Sequence, residues 1–129
     1  MNITGLDHLV LTVGDIEVSA EFYERLGMRR VIFDGDRVAL QFGVQKINLH
    51  RAGSEFDPHA RRPVPGSADF CLLVGASIEQ VVRELASEGI PVELGPVDRA
   101  GAQGPPRSVY VRDPDGNLVE LAQAIEGAA

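Results

Sequence analysis

Leu9, Leu11 and Val13 alternate with His8, Val10 and Thr12. This period of two predicts a β-strand over 6–13 with one packed face and one open face. The period then lengthens. Val18, Phe22, Tyr23 and Leu26 form an apolar stripe at helical spacing behind Asp15, a suitable N-cap, and Gly27 suits a left-handed stop. A helix over 15–27 follows. Three short strands are predicted next, near 29–33, 37–42 and 46–50.

The same order then recurs, and an internal repeat constrains the fold more than any single element. Residues 68–74 read as a strand. Ser77 and Gln80 form a capping box, Ile78, Val81, Val82 and Leu85 make the stripe, and Gly89 ends the second helix. Strands are predicted near 91–94, 107–112 and 117–122, the last pair joined by Asp113-Pro114-Asp115-Gly116-Asn117, rich in turn formers. The chain is therefore expected to be one α+β domain of two βαβββ modules: module one about 4–52, a linker over 53–67, and module two about 68–124. The linker is long for an inert connection, and its expected use is to cover a site or reach a partner subunit. The Gly/Pro-rich segment 95–106 reads as a mobile rim, with Arg99 and Arg107 available to an anionic substrate.

Composition narrows the function classes. A chain of 129 residues can bury a core without a staple. The formal charge of −7 opposes binding to phosphate backbones and anionic lipids, so neither nucleic-acid nor membrane partners are expected. Cys71 is the single cysteine, which excludes an intramolecular disulfide; within Phe70-Cys71-Leu72-Leu73-Val74 it reads as a small buried hydrophobe. No apolar run approaches the roughly 20 residues needed to span a bilayer, and no secretory signal is visible. A cytoplasmic setting is expected.

Alternation also sorts the polar groups. His8 lies opposite Leu9, Asn48 and His50 lie opposite Ile47 and Leu49, Asp69 and Cys71 lie opposite Phe70 and Leu72, and Glu120 lies opposite Val119 and Leu121. His8, His50, Asp69 and Glu120 thus fall on the faces turned away from the helices, at what read as matched places in the two modules. Two imidazoles with one or two carboxylates suit a divalent ion with open coordination positions. A calcium loop at Asp113 is not expected, because the twelfth position is Ala124 and not a bidentate Glu.

Three segments give these patterns a family likeness: Leu6-Asp7-His8-Leu9-Val10-Leu11-Thr12-Val13, Phe22-Tyr23-Glu24-Arg25-Leu26-Gly27-Met28, and Arg112-Asp113-Pro114-Asp115-Gly116-Asn117-Leu118-Val119-Glu120-Leu121. The chain resembles the glyoxalase / bleomycin-resistance / dioxygenase superfamily, or vicinal oxygen chelate proteins. Lys46-Ile47-Asn48-Leu49-His50, Pro65-Gly66-Ser67-Ala68-Asp69 and Gly95-Pro96-Val97-Asp98-Arg99 resemble the glyoxalase-domain-containing-protein-5 and virulence-protein subgroup. The resemblance implies a curved, eight-stranded open sheet with a metal on its concave face, and a homodimer. It matches His8 to a first-strand ligand and Glu120 to a last-strand ligand, and puts His50 where relatives carry a carboxylate or amide. Asp69 departs from the family, standing where many relatives have a histidine.

The expected function is a metal-dependent lyase, isomerase or transferase acting on a small metal-chelating substrate. One divalent ion (Zn, Ni, Mn or Fe) is expected on His8, His50 and Glu120. Glu120 and Asp69 are the candidate catalytic groups, and Asn48, Arg99 and Tyr110 the candidate substrate contacts. A ring-cleaving dioxygenase and a non-catalytic protein that sequesters a drug or metabolite are the alternatives.

Overall fold

The structure, a computed structural model, describes residues 1–98 and 107–124. The chain divides into two compact units, Met1–Ser67 and Ala68–Ala129, each with one four-stranded sheet and one helix. None of the described helices is long and apolar enough to cross a membrane.

In the first unit, β1 (His8–Val13) leads into α1 (Ile16–Arg25), followed by β2 (Arg29–Phe33), β3 (Arg37–Phe42) and β4 (Gln45–Arg51). The sheet order is β1-β4-β3-β2. β1 and β4 run parallel, which requires the intervening chain to cross the sheet, and α1 makes part of that crossing. The helix starts where Asp15 Oδ1 accepts from the Val18 N–H at 3.0 Å, and it stops at Gly27, whose φ of 105° is costly for other residues. Ala20, Phe22 and Tyr23 of α1 are buried with Leu11, Val13, Leu40, Ile47 and Leu49 of the sheet. Each large side chain so buried contributes about 1.5–3 kcal/mol. That packing fixes the helix-covered face and leaves the other face for chemistry.

The second unit repeats the plan with β5 (Asp69–Val74), α2 (Ile78–Ser87), β6 (Leu94–Asp98), β7 (Arg107–Arg112) and β8 (Leu118–Gln123), in the order β5-β8-β7-β6. Ser77 caps α2 by accepting from the Gln80 N–H at 3.2 Å. The β7–β8 turn is held by side chains. Asp113 Oδ1 accepts from the Asp115 and Asn117 N–H groups, and Asn117 Nδ2 donates to Asp113 Oδ2 at 2.8 Å. The Ala68 N–H donates to Asn117 Oδ1 at 2.8 Å, tying the start of β5 to the turn.

Two expectations are corrected. The strand predicted near 91–94 lies at Leu94–Asp98, so residues 95–98 are not part of a rim loop. Pro91 has no N–H to give a ladder, whereas Gly95 and Pro96 fit an edge strand whose pairing to β7 shifts between Leu94 and Val97. At Gly95 a Cβ would meet Ser108 O at 2.6 Å, so close strand approach demands glycine. Cys71, expected to be buried, is exposed on the open face. Alternation within β5 decides this, since Phe70 and Leu72 take the helix side.

Candidate functional site

On the open face of the first unit, the β1–β4 register pairs His8 with Lys46, Val10 with Asn48 and Thr12 with His50. His8 is exposed, and its Nδ1 lies 2.7 Å from Asp7 Oδ2. His50 is four residues further along the parallel pair, about 13 Å at the usual strand rise. The two imidazoles share a face but do not converge within this unit.

His50 is only 3% exposed. Arg37 Nη2 approaches its Nε2 at 3.4 Å, a long contact in which the guanidinium can only donate. Nε2 is then the acceptor and Nδ1 carries the proton; that buried Nδ1 has no hydrogen-bond partner among the described residues. Burial, and then the Arg37 charge, hold the imidazole's pKa below its ordinary range. Phe56 meets the ring edge-on at 5.4 Å. A cavity of about 450 Å³ adjoins the imidazole, lined by Val10, Thr12, His50, Pro58, His59 and Ala60. Beside His50 in alternation, Asn48 is 6% exposed, and its Oδ1 has no partner among the described residues.

On the open face of the second unit, Cys71, Glu120 and Tyr110 form one row across β5, β8 and β7. Ser108, fully buried, donates to Glu120 Oε2 at 2.6 Å. Partial desolvation, and then the Glu120 carboxylate, push the Cys71 thiol up to about 11, so at neutral pH it is a thiol and a weak nucleophile. Asp69 is exposed and pairs in register with Leu118, two residues before Glu120. Tyr110 is half-buried. Arg107 pairs with Glu79 and is not free for a substrate. Arg112 forks onto the Glu93 carboxylate, donating from Nε at 3.0 Å and Nη2 at 2.9 Å, which holds that carboxyl below the usual carboxylate range. Arg99 lies outside the described residues.

The registers correct one sequence-based equivalence. With His8 and Asp69 opening the two sheets, Lys46 and Leu118 are their partners. Two residues further on, Asn48 occupies in the first unit the place of Glu120 in the second; His50 corresponds to Ala122. Each unit therefore offers a diagonal polar pair, His8 with Asn48 and Asp69 with Glu120. Among the described residues no three His, Cys, Asp or Glu side chains gather so as to hold a metal ion.

Arg37, Phe33, Lys46 and Ser108 escaped the sequence reading. Alternation along β3 would have placed Arg37 on the open face, but nothing local tells that it reaches His50 and Phe56. Ser108 reads as an ordinary strand serine until its cross-strand neighbour is known.

Comparison with known proteins agrees with this architecture. The chain is 52% identical over 126 residues to Virulence protein STM3117 of Salmonella typhimurium, covering 97% of this chain and 88% of that protein. It is 51% identical over 122 residues to Glyoxalase domain-containing protein RDO1 of Mycosarcoma maydis, covering 95% and 69%. The crystal structure of the Salmonella protein matches with a TM-score of 0.95 over 97% of this chain and 100% of that one. An integron cassette protein from V. cholerae, 48% identical, matches with a TM-score of 0.93 over 95% and 97%. The family model described as the Glyoxalase/Bleomycin resistance protein/Dioxygenase superfamily matches residues 5–121, and with the two βαβββ units it establishes that this chain belongs to that superfamily.

Proposed function

We propose that the protein is a metal-dependent enzyme of the glyoxalase type, a lyase, isomerase or transferase acting on a small oxygen-rich substrate. The observation that supports this most is the register equivalence of Asn48 and Glu120, together with the buried, unpartnered Oδ1 of Asn48. An orphaned acceptor in a polar face is costly unless something electropositive meets it. The donor types fit a divalent ion: an imidazole from His8, an amide oxygen from Asn48, and carboxylates from Asp69 and Glu120. His8 and Asn48 are the candidate donors of the first unit, and Asp69 and Glu120 those of the second, with Asn48 in the role that sequence reading gave to His50.

A bound divalent ion would supply Lewis acidity, drawing charge from two neighbouring substrate oxygens. The chain's own part is proton transfer and orientation. Glu120 is the candidate base; its Oε2 accepts from the Ser108 hydroxyl, and the Cys71 thiol lies beside the carboxylate. Tyr110, its cross-strand partner, would contact the same substrate. Asp69, one diagonal step from Glu120, is the alternative base.

Elemental analysis of purified protein, followed by titration of metal-stripped protein with Mn, Ni and Zn, tests the assignment. Near-stoichiometric binding weakened at least tenfold by Glu120→Gln and by Asn48→Ala, but not by His50→Gln, is the expected result. Equal loss in His50→Gln would restore His50 as a ligand. A homodimer accompanies this reading and is checked by light scattering. One observation favours non-catalytic sequestration instead: the described residues assemble no three-ligand cluster. Folded protein indifferent to all three ions would select that alternative. Oxygen uptake with a catechol and Fe(II) would select the dioxygenase.

A further inference from the structure

We propose that the open face of the first unit recognises a carboxylate, so that the ligand is a small organic acid with an apolar flank. Two cations converge on one ring there: Lys46 Nζ lies 4.0 Å from the Phe33 centroid and Arg37 Cζ lies 5.1 Å from it. Arg37 Cζ also lies over the Phe56 ring, 4.3 Å from its centroid. Both cations are half-buried, and among the described residues neither has a carboxylate within ion-pair distance, although the chain carries 19 acids against 12 bases. The acid on the covering segment, Glu55, accepts from the Gly53 N–H at 2.6 Å.

Like charges brought to one partly desolvated ring repel, and an anion between them relieves the repulsion. A guanidinium over an aromatic ring can still offer its N–H fork to an acceptor, and that fork matches two carboxylate oxygens. Of its donors, one contacts His50, and the others are without partners among the described residues. Arg37 itself lines a smaller cavity of about 170 Å³ with Asp36, Arg51 and Phe56; His50, which it contacts, lines the cavity of about 450 Å³, where Val10, Pro58, Ala60 and the Thr12 methyl give an apolar side of a size that suits a small metabolite rather than a polymer. As the substrate class of the reaction proposed above, the organic acid rests on that reading; as a binding site it does not, and metal-free protein is the right sample.

Calorimetric titration of metal-stripped, full-length protein with benzoate, benzamide and inorganic phosphate tests the assignment. Benzoate is expected to bind at least tenfold more tightly than its neutral amide and more tightly than phosphate. Arg37→Met and Lys46→Met should each weaken benzoate roughly tenfold, while Arg83→Met, on the exposed side of α2, leaves it unchanged. Thermal midpoints confirm that the variants fold, and the benzoate–benzamide comparison needs no variant at all. Equal binding of benzamide, preference for phosphate, or no binding by any probe would overturn the carboxylate assignment. Loss of metal binding alone would not touch it, so the two readings fail separately.

Discussion

Ser108 on β7 donates its hydroxyl to Glu120 Oε2 on β8 at 2.6 Å, from a position with no solvent exposure. The two are not direct cross-strand partners: Tyr110 faces Glu120 and Ser108 faces Ala122, so the bond runs diagonally across the ladder. It fixes one oxygen of the carboxylate on the open face. Ser108→Ala should therefore lower unfolding free energy by about 1.5–3 kcal/mol, the usual range for a hydrogen bond to a charged group. Urea denaturation measures it. No loss of stability would mean that Glu120 finds another donor.

His50 predicts an acid-side dependence. Its pKa in the folded protein is lowered, chiefly by burial and then by Arg37, from an ordinary 6.5. Between the folded and unfolded values, the unfolded chain binds the proton and the native chain does not. The contribution of His50 to stability is thus fully present above the ordinary value and is lost as pH falls through the depressed one. Denaturation midpoints collected from neutral pH down to mildly acidic conditions should fall less steeply for His50→Gln than for the parent. Parallel curves would contradict a depressed value.

Gly95→Ala should be among the more damaging single-methyl additions in the chain. The new Cβ would stand 2.6 Å from Ser108 O and 3.0 Å from Val109 Cα, both backbone atoms that cannot swing aside, at a φ of 112°. Strain of this kind costs on the order of 1–3 kcal/mol. Thermal unfolding reads the loss. Ala at Gly43, where a Cβ meets nothing within 4 Å, isolates the cost of positive φ from that of the clash.

Asn117→Ala should destabilise the second unit by about 2–3 kcal/mol. The side chain is 1% exposed and joins Asp113 to the N–H of Ala68. Hydrogen exchange would show faster exchange at the Ala68 and Asp115 amides before other β8 positions. Unchanged protection there would leave the backbone bonds of the turn as its main support.

Much of this protein was legible in its sequence. Alternation assigned the faces of β1, β4, β5 and β8 because a strand's side-chain period is fixed by backbone geometry. Caps at Asp15 and Ser77 and the stops at Gly27 and Gly89 bounded the helices for equally local reasons. What alternation leaves open is register. Sliding one parallel strand by two residues preserves every face yet changes every partner. Only the packed sheets made Asn48 the counterpart of Glu120, set His8 and His50 four residues apart, and let Gly95 and Pro96 extend an edge strand. Arg37 likewise gained His50, Phe33 and Phe56 through contacts between segments distant in sequence, which no local pattern encodes.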